Sequence, residues 1–206
     1  MLRILFQGDS ITDADRRDEY ICGMGRGYPG YVAGRLGLEQ PGAYQFINRG
    51  ISGNRIVDVY ARIKQDIINL KPDVISFLIG VNDAWHEIGS QNGVATDKFK
   101  KIYKMMIDEI QEALPNVKII LMEPFVLNGT ATEANIDLFI KDVSEKAVAV
   151  REIAEEYNLP FIPLQSDLDA LTKKAPNDYW LLDGVHPTIY FHQYMADKWI
   201  EEFKKL

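Results

Sequence analysis

Leu2-Arg3-Ile4-Leu5-Phe6-Gln7-Gly8-Asp9-Ser10-Ile11-Thr12 opens the chain with a short apolar run that ends in glycine, acid and serine. The run Leu2–Phe6 is nearly continuous in hydrophobicity, the pattern of a strand covered on both faces. A serine just past the C-terminal end of such a strand stands where open α/β sheets bind their ligands. Ser10 is therefore the candidate nucleophile, and its partners are sought in later segments.

Four more apolar runs follow, at Tyr44–Asn48, Val74–Ile79, Val117–Met122 and Phe161–Leu164. Between them lie helical patterns. Residues 54–70 place Ile56, Tyr60, Ile63, Ile67 and Leu70 on one stripe, and residues 97–114 do the same with Phe99, Ile102, Met106, Ile110 and Leu114. Residues 135–157 use Ile136, Phe139, Val143, Val150 and Tyr157, and residues 188–205 use Met195, Trp199 and Phe203. These spacings follow the helical period of half-buried helices. The alternation predicts an α/β protein, a three-layer α/β/α sandwich around a parallel sheet. A length of 206 residues fits a single domain spanning residues 1–206. The least regular stretch is 13–30, with Arg16-Arg17-Asp18-Glu19 and four unevenly spaced glycines. A loop of that length after a first strand is often functional, but no Lys-Ser/Thr follows the glycines as a phosphate loop requires.

Composition excludes several classes of function. The net charge of −7 carries no basic footprint for nucleic acid. No apolar run approaches the ~20 residues that span a bilayer. The N-terminal run is too short for a secretory h-region, so a soluble, cytoplasmic protein is expected. Cys22 is the only cysteine and has no paired motif. No histidine pair has metal-ligand spacing with a carboxylate, and no metal or other cofactor is expected.

Four segments carry groups suited to chemistry: Gly8-Asp9-Ser10, Asn48-Arg49-Gly50-Ile51-Ser52-Gly53-Asn54, Gly80-Val81-Asn82-Asp83 and Asp183-Gly184-Val185-His186-Pro187. The first three each follow a predicted strand, so a parallel sheet gathers them on one edge. A serine hydroxyl needs an adjacent base, and His186 is the candidate. The base needs an acid on its far nitrogen to hold the tautomer. Asp183 stands three residues before it, and Pro187 is expected at the first position of the last helix. A tetrahedral intermediate needs donors aimed at its oxyanion. The Ser10 N–H, the Gly53 N–H and the Asn82 side-chain amide are the candidates. His86 is a weaker candidate for a substrate contact, and His192 falls on the last helix in a solvated or core-edge position. Trp85 either lines an acyl or sugar pocket or packs at its rim.

These blocks resemble those of the GDSL-type hydrolases of the SGNH superfamily, named for Ser, Gly, Asn and His. Ser10, Gly53, Asn82 and His186 stand in the four corresponding places, in order, across residues 8–187. The resemblance implies a flavodoxin-like fold with about five parallel strands. It also implies that Asp9 supports the nucleophile loop from behind, and it places Asp83, beside Asn82, near the same pocket. Ile51-Ser52-Gly53-Asn54, Asn82-Asp83-Ala84-Trp85, Met122-Glu123-Pro124-Phe125 and the Asp183–Pro187 block are similar to intracellular acetylxylan esterases. That narrower resemblance implies deacetylation of short xylo-oligosaccharides, a small acyl ester of a sugar as the substrate and, for at least some members, a homo-oligomer. The alternatives are a lysophospholipase or thioesterase on the same scaffold, or a non-catalytic carbohydrate-binding module.

Overall fold

A computed structural model describes residues 1–18 and 22–206. Strands β1 (Leu2–Gly8), β2 (Tyr44–Asn48), β3 (Val74–Leu78), β4 (Lys118–Met122) and β5 (Phe161–Ile162) form one sheet in the order β2-β1-β3-β4-β5. Every pairing is parallel. This is the flavodoxin-like order that the family resemblance implies, and the five apolar runs each produce one strand. The chain steps outward from β1 to β2 and then returns to the other side of β1, which makes the β1/β3 boundary the switch point where such sheets leave a crevice.

The strands are packed on both faces. Ile4, Phe6, Val74 and Leu78 face one cluster, while Leu5, Ile75 and Phe77 face the other. This alternation follows from the two-residue period of a strand. The first cluster is closed by α2 (Tyr28–Glu39) and α10 (Ile189–Phe203), which bring Tyr28, Val32, Leu36, Met195 and Trp199. The second is closed by α3 (Ile56–Ala61), α4 (Ile63–Asp66) and α6 (Thr96–Ala113). The long helix α7 (Ile136–Glu156) contributes Phe139 and Val143 to the first cluster and Val150 and Ile153 to the second.

Several expectations are corrected. The single helix predicted over 54–70 is three pieces: α3, α4 and a 3₁₀ turn at Ile68–Leu70. Its apolar stripe is retained, but the chain breaks at Arg62, whose φ of −115° leaves the helical region. The Arg62 guanidinium binds Asn54 Oδ1, the Arg49 carbonyl, Asp66 and Gln7 Oε1, all at 2.8–2.9 Å. The irregular stretch 13–30 ends early, because α2 starts at Tyr28; residues 19–21, including Glu19, lie outside the described residues. Pro187 is not the first helical residue. It pairs with Leu181 in a short antiparallel bridge, and Thr188 is the N-cap of α10. Helices α1 (Ser10–Asp13), α5 (Val81–Ser90), α8 (Gln165–Leu171) and α9 (Asn177–Trp180) carry too few periodic apolar residues to stand out in the sequence. Among the described residues, no helix is long and apolar enough to cross a membrane.

Phe6 joins the sheet to two helices, with its ring centroid 5.7 Å from Tyr28 and 5.1 Å from Trp199. It is fully buried. Phe6→Ala is expected to lower stability by ~3–5 kcal/mol through lost burial and a residual cavity. Urea unfolding should show a lower midpoint with an unchanged slope.

Candidate active site

The switch point places three of the four sequence blocks side by side. Ser10 is the first residue of α1, separated from the end of β1 by Asp9 alone. Asp9 caps that short helix, its Oδ1 accepting the Ile11 N–H at 3.0 Å. The second block continues β2 past its end: the Arg49 N–H donates to the Phe6 carbonyl and the Ile51 N–H to the Gly8 carbonyl. The chain then turns over Ile51–Asn54, closed by the Asn54 N–H on the Ile51 carbonyl at 3.1 Å. Gly53 is the third residue of this turn with φ of +82°, a conformation that a side chain disfavours.

The third block starts α5. The Asn82 side-chain Nδ2 donates to the Asn54 carbonyl at 3.2 Å, so its amide lies against the Gly53 turn. Asp83 is fully buried, and both its carboxylate oxygens accept the Ile56 N–H, at 3.0 and 3.2 Å. The fourth block forms a loop bridged by Leu181 and Pro187, with the Leu182 N–H donating to the His186 carbonyl at 2.8 Å. The loop is docked on residues 127–131: the Leu127 N–H donates to the Gly184 carbonyl and the Ala131 N–H to the Asp183 carbonyl, each at 2.9 Å.

These placements produce one hydrogen-bonded line. Ser10 Oγ lies 3.0 Å from His186 Nε2, and His186 Nδ1 lies 2.7 Å from Asp183 Oδ2. The other Asp183 oxygen accepts the backbone N–H groups of Val185 and His186, at 2.9 and 2.8 Å. A carboxylate on Nδ1 selects the tautomer with the proton there, which leaves the Nε2 lone pair for the serine hydroxyl. Burial pushes the Asp183 carboxyl up, but the hydrogen bonds from His186 and Val185 outweigh it and hold the group below its ordinary range. Asp183 is therefore an anion beside the ring.

The residues expected near the pocket separate into two groups. Trp85 touches the line directly, its ring 5.9 Å from that of His186 and edge-on to Phe139 at 6.0 Å. Asp9 and Asp83 are buried and do not line the cleft. Burial pushes the Asp9 carboxyl up to about 7, against the opposing hydrogen bond from Ile11 and the nearby His186. Burial likewise pushes Asp83 up to about 8, against the Ile56 N–H and the charge of Lys146. The cleft at Ser10, about 480 Å³, is lined by Asp13, Ala14, Asp15, Arg17, Ile51 and Ser52. Four of these residues belong to the irregular 13–30 stretch and two to the block that carries Gly53, although the sequence assigns none of them an individual role.

A family model for the GDSL-like lipase/acylhydrolase family matches residues 6–194. The chain belongs to that family. It is a carboxylic ester hydrolase, supported also by a relative named acetylxylan esterase, from Geobacillus stearothermophilus. That relative is 32% identical over 97% of this chain and 93% of its own length. Among solved structures, a protein described as GDSL-like lipase from Parabacteroides merdae superposes with a TM-score of 0.92, at 36% identity over 98% of this chain and 95% of its own. The Geobacillus acetylxylan esterase Axe2 superposes with a TM-score of 0.86, at 30% identity over 98% and 93%. Three solved catalytic mutants of Axe2 replace a serine, an aspartate and a histidine, the last two three positions apart as Asp183 and His186 are.

Of the two positions expected for His192 in this hydrolase, solvated and core-edge, the structure shows the second. His192 is not solvated: it is buried, and its Nδ1 accepts the Tyr28 N–H at 3.1 Å, which fastens α10 to the start of α2. Burial, aided by the nearby His186, lowers its pKa from 6.5 to about 4. A histidine whose folded pKa is depressed stays neutral in the fold while the unfolded chain takes up a proton, so its contribution is complete above pH 6.5 and is lost as pH falls towards 4. Urea midpoints measured across that window should fall less steeply in His192→Gln, whose side-chain oxygen keeps an acceptor for Tyr28. Parallel curves for the two proteins would contradict the buried neutral state.

Proposed function

We propose that this esterase hydrolyses short-chain acyl esters, acetyl foremost, carried on carbohydrate such as xylo-oligosaccharides, with Ser10, His186 and Asp183 as its catalytic triad. The observation that carries the triad is the unbroken line from Ser10 Oγ through His186 to Asp183, at 3.0 and 2.7 Å. Ser10 Oγ attacks the ester carbonyl as His186 Nε2 takes its proton. Asp183 holds the ring and stabilises the imidazolium. Collapse of the tetrahedral intermediate expels the alcohol, which receives the proton from His186. Water, activated by the same ring, then releases the acid and restores Ser10.

The oxyanion is assigned to the Ser10 N–H, the Gly53 N–H and the Asn82 amide. Among the described residues the Gly53 N–H has no protein acceptor, and the Asn82 amide uses one of its two hydrogens on Asn54. Both donors are thus available to a ligand. One such donor is typically worth ~3–4 kcal/mol of transition-state stabilisation.

The cleft supports this substrate class. Asp13, Asp15, Arg17 and Ser52 make it polar beside Ser10, which suits a hydroxylated alcohol and a small acyl group. A larger apolar hollow of about 890 Å³ lies along α2, with Met24, Tyr31, Phe46 and Ile189 in its walls, and shares no lining residue with the Ser10 cleft among the described residues. Among the described residues that line the Ser10 cleft, only Ala14 and Ile51 are apolar. The acetyl-sugar assignment is further supported by the acetylxylan esterase relative.

Ser10→Ala is expected to lower kcat by about 10⁶-fold while leaving the unfolding midpoint intact. Retained turnover would overturn the nucleophile assignment. In a series of esters of rising acyl length, acetyl should be cut faster than octanoyl, and acetylated xylo-oligosaccharides should release acetate; the reverse order in acyl length would favour the lysophospholipase or thioesterase alternative.

A further inference from the structure

Asp13 and Arg16 lie between the nucleophile helix and the turn that carries Gly53, and the catalytic scheme above uses neither. Asp13 is the last residue of α1, three positions after Ser10. Its carboxylate serves two segments. Oδ2 accepts the Ser52 N–H at 3.0 Å. Oδ1 accepts the Arg16 N–H at 3.3 Å and stands 3.8 Å from Arg16 Nε. Arg16 Nε in turn donates to the Gly50 carbonyl at 2.5 Å. The N-terminal half of the turn is therefore gripped from one side, at the Gly50 carbonyl by Arg16 and at the Ser52 N–H by Asp13.

The backbone is shaped for this contact. A Cβ on Gly50 would stand 2.5 Å from the Asp13 nitrogen and 2.8 Å from the Thr12 carbonyl carbon, so the two segments touch main chain to main chain. Asn48 bridges them, giving Nδ2 to the Thr12 carbonyl and taking the Gly50 N–H at 2.9 Å on Oδ1. After Asp13 the chain enters the left-handed region twice in succession, at Ala14 with φ of 38° and Asp15 with φ of 63°. That conformation is costly for residues with a Cβ. Strain of this kind persists where surrounding contacts over-determine it, and it clusters at functional sites. Here the reversal follows Asp13 directly and brings the chain round to Arg16, which reaches Gly50.

We infer that Asp13 and Arg16 are positioning residues that lock the Gly50–Gly53 turn to the Ser10 helix, so that the nucleophile and the Gly53 oxyanion donor keep one relative geometry. The inference rests on the proposed oxyanion role of Gly53. Its physical basis is the chain itself: the Gly53 N–H belongs to the peptide plane that follows Ser52, so anchoring the Ser52 N–H limits how that plane can rotate. On the far side the turn is already held by α5, through Asn82 on the Asn54 carbonyl and Asp83 on the Ile56 N–H. Without the Asp13 and Arg16 grip, the ties to β1 and α1 end at Ile51 and Gly50, through the Gly8 carbonyl and Asn48, and the turn beyond them is held by α5 alone. Oxyanion donors must sit about 2.7–3.1 Å from the developing charge. A misplacement of about 1 Å can cost roughly 10²-fold in rate.

The test compares Asp13→Ala, Asp13→Asn and Arg16→Met with the parent enzyme on an aryl acetate. Alongside kcat and KM it measures inhibition by an alkyl boronic acid. Ser10 Oγ adds to that boron, His186 takes the hydroxyl proton, and the tetrahedral adduct carries a B–OH oxygen into the oxyanion position. Asp13→Ala and Arg16→Met are expected to lower kcat about 10- to 100-fold with KM changed less than about threefold, and to weaken boronate inhibition by the same factor as kcat. Asp13→Asn, which keeps an oxygen for the Ser52 N–H, should recover most of the loss. A rise in KM with kcat and boronate affinity unchanged, or parent-like values throughout, would overturn the inference. If Asp13→Ala does not fold, Arg16→Met carries the same comparison. Ser10→Ala is the control that separates the two levels: if it remains active, the nucleophile assignment fails, whereas an inactive Ser10→Ala beside fully active Asp13 and Arg16 variants refutes the lock alone.

Discussion

Parallel pairing of β1 on both of its sides is the constraint on which the rest of the molecule depends. Leu2–Phe6 pairs in register with Tyr44–Asn48, and Ile4–Gly8 pairs with Val74–Leu78. Because all three strands run the same way, their C-terminal ends meet at one edge, and whatever follows them must share a small space. Ser10 follows the central strand, the Gly53 turn follows β2 and Asn82 follows β3. Only the Asp183–His186 loop arrives from elsewhere. It reaches the site by docking on residues 127–131 beyond β4, where the Gly184 and Asp183 carbonyls are taken by backbone N–H groups.

The buried ionisable groups around this edge differ in how they are supported. Asp183, partly exposed, receives three hydrogen bonds and remains an anion. Asp9 and Asp83 receive fewer donors in a more enclosed setting, and burial raises both. The contrast is one of donor number against desolvation. It separates a carboxylate hydrogen-bonded to a histidine from carboxyls that cap a helix or hold a backbone N–H. His192 shows the same competition with the opposite charge: enclosed and accepting a backbone hydrogen bond, it remains neutral and acts as a fastener between α10 and α2.

The fold was legible in the sequence because strands buried on both faces are written as continuous apolar runs, and long amphipathic helices as stripes. Where the apolar signal is short, it failed. The break at Arg62 is made by a guanidinium that binds groups from β1, the residue just past β2 and the Gly53 turn, and no local pattern records those partners. Helix α5 was hidden because its buried first turn is Val81-Asn82-Asp83-Ala84, half of it polar. His192 appeared as a surface or core-edge residue on a helix because its buried partner, the Tyr28 N–H, is 164 positions away.

The candidate site divides along the same line. The sequence by itself determined which groups are available: a serine after the first strand, a glycine turn after the second, an asparagine after the third, and an aspartate spaced to reach a histidine within one loop. It did so because residue type and strand order are local properties of the chain. Only the tertiary structure decided the distances between those groups, the enclosure of Asp9 and Asp83, and the contact of Asp13 and Arg16 with the Gly50–Gly53 turn. Those depend on segments brought together by the β1 pairings and on desolvation, which no single stretch of sequence contains.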